Sequence, residues 1–119
     1  MSKKITGRAI ITVDGKRFKT DSGATLNIGG SNRKAVVGGG EVHGYQEEDV
    51  APSMECTVFH NQELSLRELS DITGATVLFE TDTGAQFVLR DAWTSEPASL
   101  NSKDGSVSLK MEAIACDEV

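Results

Sequence analysis

Two segments of this chain alternate apolar and polar residues with a period of two, a spacing that suits a β-strand and not a helix. In residues 106–115, Val107, Leu109, Met111, Ala113 and Ala115 alternate with Ser108, Lys110 and Glu112. In Ser53–Phe59, Met54, Cys56 and Val58 alternate with Ser53, Glu55 and Thr57. Successive strand side chains point to opposite faces, so each segment has one apolar face that needs a core and one polar face that needs water. The rest of the chain must supply a second layer to cover those apolar faces.

Short strands and turns provide it. Residues 7–13 are rich in β-branched side chains, and Asp14-Gly15 then leads into residues 16–20, a strong hairpin signal. Residues 24–28 read as a further strand with Leu26 and Ile28 on one face. Thr81-Asp82-Thr83-Gly84 marks a turn between strands at 75–80 and 85–93, and Ser102-Lys103-Asp104-Gly105 a turn between 99–101 and the last strand. One helix is signed at its start. Ser65 is its N-cap, Glu68 completes a capping box, and Leu64 with Leu69 forms a hydrophobic staple. Leu66, Leu69 and Ile72 then form an apolar stripe, and Gly74 stands where a helix terminates. At about two turns it is too short to stand alone and must dock on the sheet. The expectation is a mainly β chain, a β-sandwich or barrel with one short flanking α-helix, forming one domain over residues 1–119.

Residues 29–50 break the pattern. They hold Gly29, Gly30, Gly38, Gly39, Gly40 and Gly44 among mixed charges, with a short apolar island at Ala35, Val36 and Val37. A long loop or a floppy β-arm follows, and loops of more than about 15 residues in a small domain are usually functional or disordered. Its conspicuous residues are Arg33, Lys34, Gly38, Gly39, Gly40 and Tyr45, with the glycine triplet expected to act as a mobile hinge.

The residues offer little chemistry. The formal net charge of −6 and the scarcity of aromatics, 5%, argue against gripping nucleic acid or stacking on its bases. His43 and His60 lie in no metal-binding or nucleophile-activating pattern, and neither C-x-x-C nor G-x-S-x-G occurs. Gly38-Gly39-Gly40 lacks the Lys-Ser/Thr of a phosphate loop, and Glu47, Glu48 and Asp49 are adjacent rather than alternating as a calcium loop requires. No enzyme, cofactor or metal is expected. Residues 1–4 are charged but the apolar run after them is too short for a signal peptide, and nothing approaches a membrane span. A reducing cytoplasm is expected, with Cys56 and Cys116 buried rather than bonded. Trp93 reads as a core or interface anchor.

In its order of features the chain resembles the tail tube proteins of Mu-like contractile-tailed bacteriophages. The resemblance is carried by GRAIITVDGK (7–16), GEVHGYQEE (40–48), LSLRELSDITGATVLFETDTGAQFVLRDAWT (64–94) and DGSVSLKMEA (104–113), nearly the whole chain. It implies a virion structural protein made in the host bacterial cytoplasm. Six copies would join edge to edge into rings, and the stacked rings would form a DNA-conducting tube inside a contractile sheath. The implied partners are further copies of the chain and the sheath, baseplate and tape-measure proteins, with DNA passing through the lumen unbound and no membrane involved. The polar strand faces then make Glu55, Thr57, Lys110 and Glu112 lumen candidates, and residues 29–50 become an assembly arm, unordered in a free subunit and folded on assembly, with Arg33, Lys34, Gly38, Gly39, Gly40 and Tyr45 as its assembly residues. The alternatives are the tube of a pyocin-like or type VI-like injection device, or a small ligand-binding β-barrel.

Overall fold

The structure is a computed structural model, describing residues 3–18, 20 and 23–119. Its strands are β1 (Ala9–Val13), β2 (Lys16–Phe18), β3 (Thr25–Asn27), β4 (Gly30–Gly38), β5 (Glu41–Val50) and β6 (Ser53–Phe59). The helix α1 (Leu66–Ser70) precedes β7 (Ala75–Thr81), β8 (Gln86–Thr94), β9 (Ser99–Asn101), β10 (Ser106–Glu112) and β11 (Ala115–Glu118). Every strand pairing is antiparallel.

Nine strands form one continuous sheet in the order β2-β1-β7-β8-β10-β6-β3, with β11 beside β8 and β9 beside β10. The sheet folds over on itself into two layers without closing as a barrel. Ile11, Val13, Val77, Phe79 and Leu89 from one layer meet Met54, Cys56, Val58, Val107, Leu109 and Met111 from the other in a single buried cluster. The alternation of β6 and β10 is fully realised: their apolar positions are buried and the residues between them half-buried or exposed.

The fold-over happens in β8. Gln86 to Leu89 pair with β7, whereas Trp93 and Thr94 pair with Glu112 and Met111 of β10. Between them the register with β7 slips and Asp91 takes φ 52°. An extra residue in one strand bends it and increases its twist, the usual means by which a strand turns a corner between layers. Trp93, just past the corner, is half-buried. A second crossing departs from the sequence expectation of one strand over 106–115. The chain leaves β10 after Glu112, and Ala115 to Glu118 return to the first layer beside Phe87 to Arg90. Alternation alone does not report which neighbour a strand pairs with.

The helix is a single turn, shorter than the two expected. The Ser65 side chain accepts from the Glu68 backbone N–H at 3.3 Å, and Leu69 is buried while Leu64, Leu66 and Ile72 pack against the core from partly exposed positions. The Thr94 hydroxyl donates to the Leu69 carbonyl, tying the helix to β8 just past the corner. Both cysteines are free thiols. Cys56 is buried in β6, but Cys116 in β11 is only half-buried, short of the burial expected for it.

Candidate functional site

Residues 30–50 resolve the choice between loop and arm. β4 and β5 form a two-stranded sheet of their own, paired from Gly30↔Val50 to Gly38↔Glu41, and every residue from 30 to 49 is exposed. The arm packs on nothing in its own chain. It stretches the molecule to 60 × 40 × 29 Å with a radius of gyration of 17.3 Å, where a compact chain of this length would show roughly 13.5 Å. The expected glycine hinge is instead a tight turn. Gly39 and Gly40 take φ 62° and 81° at the tip, as the two-residue hairpin turn matching strand twist requires. The true pivot is Gly29, at φ 77°, where an added Cβ would lie 2.7 Å from the Pro52 nitrogen. Only glycine lets the arm leave the body at that angle.

Cross-strand register assigns the arm's two faces, because paired residues share a face. Arg33↔Glu47, Ala35↔Tyr45 and Val37↔Val42 lie on one; Lys34↔Gln46 and Val36↔Gly44 lie on the other. His43 is the extra residue of a bulge between Val36 and Val37, and its Nε2 lies 3.0 Å from the Gly38 carbonyl oxygen. The first face is therefore largely apolar, with Val37 63%, Val42 71% and Tyr45 61% exposed. Toward its base the Arg33 Nε lies 3.5 Å from Glu47, and the guanidinium sits 5.7 Å from the centre of the Tyr45 ring.

The other four candidates come together on the outward face of the second layer. Glu55 pairs with Lys110, Thr57 with Ser108 and Glu112 with Ser53. β3 extends this face with Thr25 opposite Glu55 and Asn27 opposite Ser53, and among the described residues no strand follows beyond β3. The result is a polar wall ending in an unpaired edge. Lys110 also lies 3.8 Å from Glu96. The third group, Leu66, Leu69 and Ile72, sits away from both features, between the helix and the β1–β2 hairpin.

A cleft of about 350 Å³ opens where β3 and the first layer part. Ala9, Ala24, Leu26, Ile28, Phe79 and Phe87 line it, together with the segment Thr6, Gly7 and Arg8. That segment is held by the β7–β8 loop. Asp82 accepts from the Gly7 N–H at 3.2 Å, its own N–H donates to the Arg8 carbonyl, Lys4 lies 3.8 Å from its carboxylate, and the hydroxyls of Thr6 and Thr83 meet at 2.6 Å. The Gly7 hydrogen bond, aided by Lys4, holds the Asp82 carboxyl below its ordinary pKa. Nothing in the linear pattern marked this cleft, because it joins segments more than fifty residues apart. The apolar face of the arm was closer to legible: Val37 and Val42 flank the Gly39-Gly40 turn symmetrically, but the bulge at His43 decides which residues join them.

Among the described residues no group of three or more His, Cys, Asp or Glu side chains could hold a metal, and no helix is long and apolar enough to cross a membrane. Burial, followed by the neighbouring Glu55 charge, pushes the Cys56 thiol up to about 12, so it stays protonated.

Residues 2–118 match the phage tail tube protein family. The chain is 43% identical over 119 residues to the Mu-like prophage FluMu tail tube protein of Haemophilus influenzae, covering all of this chain and 99% of that one. It is 30% identical over 107 residues to the tail tube protein of Escherichia phage Mu, covering 90% of this chain and 88% of that one.

Proposed function

The chain belongs to the phage tail tube protein family, a structural component of the Mu-like phage virion, and from that membership we propose how it builds a tube. Six copies join edge to edge into a ring. The β3 edge of each copy is satisfied by a strand of its neighbour, because an unpaired edge otherwise invites uncontrolled association. The polar wall of β10, β6 and β3 turns inward, so that Glu55, Thr57, Lys110 and Glu112 line the lumen, and rings stack into a conduit within the contractile sheath. Baseplate and tape-measure proteins set its start and length. DNA passes without binding, since subunits of formal charge −6 repel the duplex at short range. The chain acts by assembling and performs no reaction.

The observation that carries this reading is the arm. Its twenty exposed residues from 30 to 49 bury nothing in their own chain, and an isolated two-stranded hairpin is at best marginally stable in water. It gains a packing surface only from another subunit, either beside it or in the next ring. In the free subunit it frays, and the cost of ordering it delays polymerisation until subunits are concentrated or seeded.

Negative-stain electron microscopy across a concentration series, with and without baseplate or tube seeds, tests the reading. Hollow tubes of uniform width are expected. Monomers that persist at every concentration, seeded or not, would overturn it.

A further inference from the structure

The cleft bounded by β1, β3 and the β7–β8 hairpin has the opposite character to the arm. We propose that this cleft receives the apolar face of the β4–β5 arm of a second copy, with Ala35, Val37, Val42 and Tyr45 entering. The inference rests on the tube reading and names the surface on which the arm lands.

Three observations lead to it. The arm's apolar face is unpartnered, and one copy's arm does not fold back on its own body, since residues 30–49 are all exposed. The cleft displays Leu26, Ile28, Phe79 and Phe87 in about 350 Å³, a volume within the range of clefts that engulf small ligands. Ile28 at its rim is 58% exposed, and apolar area left open on both sides favours their union.

Charge selects this cleft over its rival. The arm carries Arg33 and Lys34 against Glu41, Glu47, Glu48 and Asp49, so it is acidic on balance, and Glu41 stands beside its tip. Among the described residues that line the cleft, Arg8 is the one that is charged. The depressions beside α1 are bordered by Asp14, Glu63 and Glu68 as well as Lys16 and Arg17. Another, lined by Arg17 and Thr20, offers only Ala9, Ile10 and Phe18 as apolar contacts, against the six apolar residues of this cleft. An acidic arm is repelled by the acids of the α1 border, whereas at this cleft Arg8 and Lys4 outnumber Asp82. Complementary potentials fix register and exclude wrong contacts more than they add affinity.

Disulfide trapping tests the pairing, because a bond forms only where two Cα atoms come within about 7 Å. Both partners carry Cys116→Ser, leaving Cys56 shielded by burial. Val42→Cys chains are co-assembled with Ile28→Cys chains, oxidised and run on a non-reducing gel, with Lys34→Cys on the arm's polar face replacing Val42→Cys as the control. The expected result is a heterodimer that forms with Val42→Cys, is largely lost with Lys34→Cys, and requires assembly. Tubes visible by microscopy that yield no heterodimer, or equal amounts from both arm faces, would overturn the landing site and leave the tube reading intact. Failure of the unmodified chain to form tubes even when seeded would remove the tube reading, and this inference with it.

Discussion

Asp91 and Leu69 carry the fold's most exposed bets at the level of single residues. Asp91 holds a left-handed conformation at the corner of β8, which costs an L-residue about 1–2 kcal/mol and which Asp tolerates better than a branched side chain. Asp91→Gly should match or exceed the wild-type stability in urea denaturation, and Asp91→Val should lose roughly 1–2 kcal/mol. Leu69 is 3% exposed and is the helix's one fully buried side chain. Leu69→Ala should lower stability by about 2–5 kcal/mol, and Leu69→Asp by more, since it buries a charge without a partner. A melting temperature unchanged by either would refute the helix packing. Cys56 makes a prediction about pH. Its folded pKa of about 12 exceeds the ordinary 9.0, so the folded state keeps a proton that the unfolded state gives up. This contribution is fully present below pH 9 and is lost as pH climbs through the interval up to 12. Stability should fall across that window at a rate approaching about 1.4 kcal/mol per pH unit for this one group, and the slope should disappear in Cys56→Ala. A thiol reagent near neutral pH should label Cys116 far faster than Cys56.

At the scale of elements, what could be read from the chain depended on how local the signal was. The helix start, the Asp14-Gly15 hairpin and the alternation of β6 and β10 are written within a few consecutive residues, and each appears where it was expected. The break after Glu112 and the return of Ala115 to Glu118 to the other layer were not legible, since pairing partners lie elsewhere in the chain. The arm lay between these cases: glycine and charge announced an unusual segment, while its pairing depended on a register that a one-residue bulge resets. The lumen candidates were legible as polar strand positions, yet the edge that continues their face, Thr25 to Asn27, belongs to a three-residue strand with little pattern to show. Two changes test the arm as a unit. Replacing residues 32–48 with an Asn-Gly turn joins Ser31 to its partner Asp49 through a two-residue hairpin, and should leave a folded, soluble subunit that forms no tubes. Gly29→Ala is subtler. Its Cβ would collide with the Pro52 backbone at a left-handed φ, so the arm must leave at another angle, and circular dichroism should stay β-rich while assembly falls. Normal tubes from either variant would show that the arm is dispensable.

For the molecule as a whole, charge sets the terms of assembly. Subunits of net charge −6 repel one another, and added salt screens that repulsion beyond a Debye length of about 8–10 Å. The critical concentration for tubes should therefore drop as ionic strength rises from a low value, as measured by light scattering. In the proposed tube the same sign would keep DNA moving. Thr57→Lys with Glu112→Lys should still assemble, but ejection through such tubes should slow and become strongly salt-dependent as phosphates find cations. The corner in β8 has a mechanical consequence as well. In a sandwich of two separate sheets, only apolar contact resists sliding of one layer over the other. Here the layers are bound along one side by covalent chain at β8, and again where β10 gives way to β11; on the opposite side Thr20 pairs with Val58 while its hydroxyl donates to the Ala9 carbonyl, and the Leu26–Phe87 cleft stands open beside that tie. The body is built like a book with its spine at Asp91 and a tie across the fore-edge at Thr20. A load passed down a tube during contraction would tend to spread its pages, and an arm lodged between them would act as the clasp.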